Sequence, residues 1–176
     1  MKNKKILFSV IAAILLLVFC GCANNGENNE DINPEEFSYD MLDLSIVADE
    51  IYQKIVISEL TAKSVIKAED KTFLEEQFYL ELKDLVSYDI RYAEGSYGAA
   101  DVAIIRVKEG KADSVMESLE NRKDDRISEF RNYDVYDSFD IAMEAEIFKE
   151  GELVIMLMLS EEDKTIAKET ISYYLP

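Results

Sequence analysis

Histidine is absent from this 176-residue chain, and its two cysteines, Cys20 and Cys22, both fall at the end of the opening apolar stretch. Beyond Cys22 neither residue type occurs. That absence removes Ser-His-Asp and Cys-His nucleophilic catalysis, imidazole acid–base chemistry, and the usual zinc, copper and haem ligation. It also leaves the body without a disulfide, so an exported domain must be held by its core alone. No GxxxxGK[S/T] or GxGxxG loop appears, so the chain carries no nucleotide signature, and no cofactor or metal is expected. Positive charge is scarce as well, with 19 Lys and Arg against 37 Asp and Glu. Such a surface repels nucleic acid and anionic headgroups alike, which excludes a nucleic-acid role and membrane binding through a basic face. It suits a solubilised exported domain, and more sharply a preference for cationic partners or Ca2+.

What is present begins with the leader. Lys2, Lys4 and Lys5 precede residues 6–19, which are apolar but for Ser9, and then comes Phe19-Cys20-Gly21-Cys22. The positive start and apolar centre have the proportions of a signal peptide. The last four residues resemble the lipobox of bacterial lipoproteins, with Phe19 standing where leucine is usual. The resemblance implies that Cys22 receives a diacylglycerol on its sulfur and becomes the first residue of the mature protein. An uncleaved anchor would need about 20 apolar residues, which this stretch only approaches. Simple secretion would leave Cys22 as an unused thiol. The expected organisation is therefore a signal peptide over 1–21, a lipidated tether over 22–37 and one domain over 38–176, on the extracytoplasmic face of the cell membrane. All 37 acids lie beyond the leader with only 16 of the 19 bases, leaving −21 on the mature chain. Residues 23–37 are rich in Asn and acid and show no periodicity. As a flexible tether they would span roughly 20–25 Å.

The body is long enough for a core without staples, and 48% apolar content argues against disorder. Asp43 is a good N-cap for a helix reaching about residue 60, with Leu44, Val47, Ile51 and Ile55 on one stripe. A shorter helix is predicted over 69–79. Val86, Tyr88, Ile90 and Tyr92 alternate with Ser87, Asp89, Arg91 and Ala93, the period of a half-buried strand. Residues 101–107 are more uniformly apolar, so that strand belongs inside the sheet. The clearest helix covers 111–130, with Ala112, Val115, Met116, Leu119, Ile127 and Phe130 on one face and the stem of Lys123 bridging the gap. Alternation at Ile141, Met143, Ala145 and Ile147 predicts another strand, and a turn at 149–152 joins it to the wholly apolar 153–159. Ser160 then caps a closing helix. The predicted order is α-α-β-β-α-β-β-α. It describes an α+β two-layer sandwich, a mostly antiparallel sheet of about four strands with helices on one face. Asp89, Arg91, Glu144 and Glu146 would mark the solvent face.

The lipobox, the acidic tether, the passage YGAADVAIIRVKEGKADSVMESLENR, the loop at Tyr133 and the ending GELVIMLMLSEEDKTIAKETI together resemble one family. It is the domain of unknown function 4358 family of exported, mainly Gram-positive bacterial lipoproteins. The resemblance runs from Asp43 to Tyr174 and rests on patterned apolar positions and glycines. It implies a surface lipoprotein with an α+β domain, and it transfers no activity and no catalytic residues.

Four constellations carry possible chemistry. Ser64-Val65-Ile66-Lys67 has the S-x-x-K spacing of penicillin-binding enzymes without their other motifs, a spacing that chance supplies. Glu144 and Glu146, two apart on a strand, could set a glycosidase carboxylate pair or merely a solvated face. Residues 132–140 (NYDVYDSFD) place Tyr133, Tyr136 and Phe139 every third position, each followed by Asp134, Asp137 or Asp140. Aromatic platforms beside acids suit sugar rings, and clustered carboxylates suit Ca2+. A loop pinned by buried aromatics accounts for the same pattern. Arg122, Lys123, Arg126 and Arg131 complement a helix dipole, or form a docking patch for an acidic partner. The expectation is a non-enzymatic, membrane-anchored binding module that takes an envelope protein or a small ligand. A carboxylate-based envelope enzyme and a structural subunit of a membrane complex are the alternatives.

Overall fold

The computed structural model describes residues 42–175; the expected leader, Cys22 and the expected tether lie outside the described residues. Asp43 opens helix α1 (Leu44–Lys54), its carboxylate accepting from the Ser45 amide. The predicted long helix stops at Lys54 and resumes as α2 (Glu59–Ser64), capped by Ser58. Strand β1 (Val65–Lys67) follows, and then α3 (Lys71–Gln77), whose cap is Asp70. Strands β2 (Leu85–Ala93) and β3 (Asp101–Val107) precede the long α4 (Ala112–Asn132). A short α5 (Ser138–Met143), β4 (Glu146–Glu150), β5 (Leu153–Met158) and α6 (Glu161–Tyr174) complete the order. Ser160 caps α6 as its spacing to Asp163 predicts.

The fold is α+β, with a sheet that is antiparallel throughout and ordered β1-β2-β3-β5-β4. Five strands stand close to the expected count of about four, the additional one being the short edge strand over Val65–Lys67. The helices lie on both faces of the sheet, which corrects the two-layer expectation. β3 and β5 are buried at every position, so neither of their faces can be left to water. On one side Val102, Ile104, Leu153, Ile155 and Leu157 pack with α1 and α6 through Leu44, Val47, Ile51, Ala167 and Ile171. On the other, Ala103, Ile105, Val154 and Met156 pack with α3 and α4 through Leu74, Phe78, Val115 and Leu119.

Three local expectations change as well. Asp89 and Arg91 do not face solvent, because α1 covers that side of β2. Asp89 is 1% exposed and holds both Arg91 (Nε 2.8 Å) and Lys67 (Nζ 2.7 Å). The alternation at 141–147 is not one strand, since residues 138–143 form α5 and Glu144 sits at its C-terminus. The gap in the apolar face of α4 is filled by Arg122 and Arg126, both buried. Lys123 instead donates to the Ala145 carbonyl at 2.8 Å. Among the described residues no helix is long and apolar enough to cross a membrane.

Candidate functional site

The connection from β2 to β3, residues 94–100, is held by side chains from four separate helices. Asp101, the first residue of β3, is wholly buried. From α4, Arg126 reaches it with Nε 3.4 Å from Oδ2, and Nη2 also donates to the Ala93 carbonyl (3.2 Å) and the Gly98 carbonyl (3.1 Å). Arg122, one turn earlier, sets Nη2 at 3.2 Å from the same Oδ2. Glu129 takes Arg126 Nη1 at 2.6 Å, so two guanidiniums meet two carboxylates. Rings complete the enclosure: Arg126 lies 4.5 Å over Phe130, and Arg122 lies 4.6 Å over Phe78. The hydrogen bonding is incomplete at one edge, where the Nε atoms of both arginines lack an aligned acceptor.

Three hydroxyls fix the rest of the connection. Tyr52 of α1 donates to the Ala100 carbonyl at 2.5 Å, and Thr61 of α2 donates to the Tyr97 carbonyl at 2.7 Å. Ser138 of α5 accepts from the Ala99 amide at 2.8 Å and donates to the Val135 carbonyl. Burial, with Asp101 nearby, pushes the Tyr52 phenol well above its ordinary value of 10.0, so it is a fixed donor at neutral pH. Gly98 is where these parts close on one another. Its φ is +103°, and a Cβ there would sit 3.2 Å from both Ser138 Oγ and Thr61 Oγ1 and 3.4 Å from the Tyr136 ring.

Above this base the surface is aromatic. Tyr97 is 45% exposed, Tyr136 52% and Tyr133 61%. Tyr133 and Tyr136, between α4 and α5, are therefore not buried, whereas Phe139, in α5, packs inward on the cluster that includes Ile127 and Phe130. Tyr136 and Asp137 are consecutive left-handed residues, with φ of 53° and 58°. Two such residues in series cost about 1–2 kcal/mol each. The conformation is retained because Ser138 is locked to Ala99 and because Asp134 accepts from the Phe139 amide at 3.0 Å. This conformation places the Tyr136 ring against Gly98.

The other sequence candidates are dispersed. Asp134 and Asp137, before α5, and Asp140, in its first turn, are all exposed, and among the described residues no group of three acids gathers as a metal ion requires. Glu144 and Glu146 are not a strand pair, since Glu144 ends α5 and only Glu146 lies in β4, where Lys168 engages it at 2.5 Å. Ser64 Oγ donates to the Thr61 carbonyl while Lys67 pairs with Asp89, so the S-x-x-K residues do not meet. In the basic cluster, Arg122 and Arg126 are structural and buried, which leaves no four-residue docking patch. Sequence reasoning missed Gly98, Asp101, Thr61 and Ser138. The one available signal was Asp101, an acid opening an otherwise apolar strand.

The fold and site define a small α+β domain whose β2–β3 end carries exposed tyrosines on a buried polar base. The chain belongs to the family described as a domain of unknown function (DUF4358), whose profile matches residues 59–159. That range holds the whole sheet, α4 and α5, and with them Thr61, Gly98, Asp101, Arg122, Arg126 and Ser138. It leaves out α1 and α6. No curated protein and no solved structure matches the chain.

Proposed function

We propose that the mature chain is a non-catalytic binding module held on the extracytoplasmic face of the cell membrane by a lipid on Cys22, and that it docks an envelope protein through Tyr97 and Tyr136. The leader and lipobox-like sequence support the anchor. One observation carries the docking reading: exposed tyrosines stand on backbone fixed by Arg126, Ser138, Thr61 and Tyr52. Tyrosine supplies large amphipathic contact area at low entropic cost, and a preorganised backbone removes much of the remaining ordering cost. An enzyme reading would call for a carboxylate with a raised pKa. Among the described residues the displaced carboxylates, Asp43, Glu50 and Glu161, are instead lowered, Asp43 by its bonds to Ser45 and the other two by lysine partners, and they are scattered over the surface.

Crosslinking in whole cells tests the reading. Wild-type protein should yield a discrete crosslinked product, and Tyr97→Ala with Tyr136→Ala should remove it while membrane retention and unfolding midpoint stay unchanged. An identical product from the double variant would reject the tyrosine surface.

A further inference from the structure

Strand β1 is an edge of the sheet, and beside it lies an open groove of about 610 Å³ between β1 and α3. The Ala68 amide donates to the Ile90 carbonyl, and the Glu94 amide donates to the Ser64 carbonyl. In an antiparallel ladder this alternation turns the backbone groups of residues 64, 66 and 68 toward β2. Those of Val65 and Lys67 face the free edge, with no strand beside them among the described residues. The floor is aromatic, with Phe73 and Tyr92 stacked at 4.8 Å and 21°. Ile66, 39% exposed, forms the near wall. Three carboxylates, Glu69, Asp70 and Glu76, line the groove with one lysine, Lys67, and that lysine is already bound to the buried Asp89 at 2.7 Å.

We infer that this groove receives an extended, basic segment of another polypeptide, added to β1 as a sixth strand. The unpaired edge supplies main-chain hydrogen bonds. The Phe73–Tyr92 floor takes the aliphatic stem or the cation of a Lys or Arg, and Glu69 and Glu76 complement its charge. Sign of charge selects among occupants. The chain's own residues 23–37 hold five acids and no base, and a second mature copy brings a net −21, so both carry the charge the groove already has. The surface is distinct from the tyrosine-bearing end and stands or falls separately from it.

The test uses the mature, lipidated protein in nanodiscs with a capped peptide of about seven residues, the length of an ordinary strand, alternating Lys with Val. Its counterpart carries Glu in place of Lys. The Lys peptide should bind and slow hydrogen exchange across residues 64–68, and it should weaken about tenfold or more on raising salt from about 50 to about 300 mM. Glu69→Gln with Glu76→Gln should weaken it about fivefold or more. Glu117→Gln with Glu120→Gln, the same charge change on exposed positions of α4, should leave it unchanged, as should Tyr97→Ala with Tyr136→Ala. Equal binding of both peptides, equal effects of the two Glu→Gln pairs, or protection outside residues 64–68 would overturn the inference. So would protection of residues 64–68 by self-association without peptide, which would make a second copy the occupant.

Discussion

Arg126 and Asp101 face each other at two points, Nε to Oδ2 at 3.4 Å and Nη2 to Oδ1 at 3.5 Å, with side chains only 2% and 0% exposed. The pair joins the middle of α4 to the first residue of β3. Through the Ala93 and Gly98 carbonyls, the same guanidinium also decides the path of the chain between them.

Removing one member of this pair leaves charge buried without its partner. Asp101→Ala should lose about 3–5 kcal/mol, because two guanidiniums then lack their shared carboxylate. Arg126→Ala should lose a similar amount and also strand two backbone carbonyls. The double variant should cost clearly less than the sum of the two. Urea unfolding of all three checks this, and strict additivity would mean that the two residues act independently.

Gly98→Ala combines a left-handed backbone with a Cβ in crowded space. A loss of about 1–3 kcal/mol is expected. Because the Tyr136 ring is among the neighbours, partner crosslinking should fall further than stability alone explains. A variant with wild-type unfolding and wild-type crosslinking would show that the close approach at Gly98 is dispensable.

Alkaline pH should expose Tyr52. Its folded pKa is raised well above 10.0, chiefly by burial, so the unfolded chain releases this proton first. The contribution is complete below pH 10 and is lost as pH climbs from there toward the folded value. Tyr79, Tyr92 and Tyr174 shift in the same direction and add to the slope. Tyr52→Phe should lose about 1 kcal/mol at pH 7, for the bond to Ala100, and should lose less on going to pH 11 than wild type does. Unfolding midpoints across pH 8–11 measure both effects, and an unchanged alkaline slope would contradict them.

Cys22→Ala tests the anchor without touching the domain. Membrane fractionation should move from the particulate to the soluble fraction, or the unprocessed leader should persist. Particulate, processed Cys22→Ala protein would mean that something other than a lipid on Cys22 retains it.

The helix caps at Asp43 and Ser160, β3 over residues 101–107 and the apolar β5 were legible in the sequence because each depends on neighbours a few positions away. The alternation through Ile141, Met143, Ala145 and Ile147 misled for the complementary reason. Asp134 and Ser138 make hydrogen bonds that start a helix there, and one of them runs to Ala99, distant in sequence. Asp89 reads as a surface residue from its period alone, because nothing local shows that α1 folds over it.

Local chemistry by itself determined the segments that can be helix or strand, the lack of histidine and cysteine chemistry in the body, and the excess negative charge. Tertiary structure decided which faces those segments bury, since both sides of β3 and β5 need a cover that only distant helices supply. It also brought Thr61, Gly98, Asp101, Arg126 and Ser138 together. Those residues span 78 positions of the chain, and only closing the sheet and its helices places their polar atoms within hydrogen-bond reach.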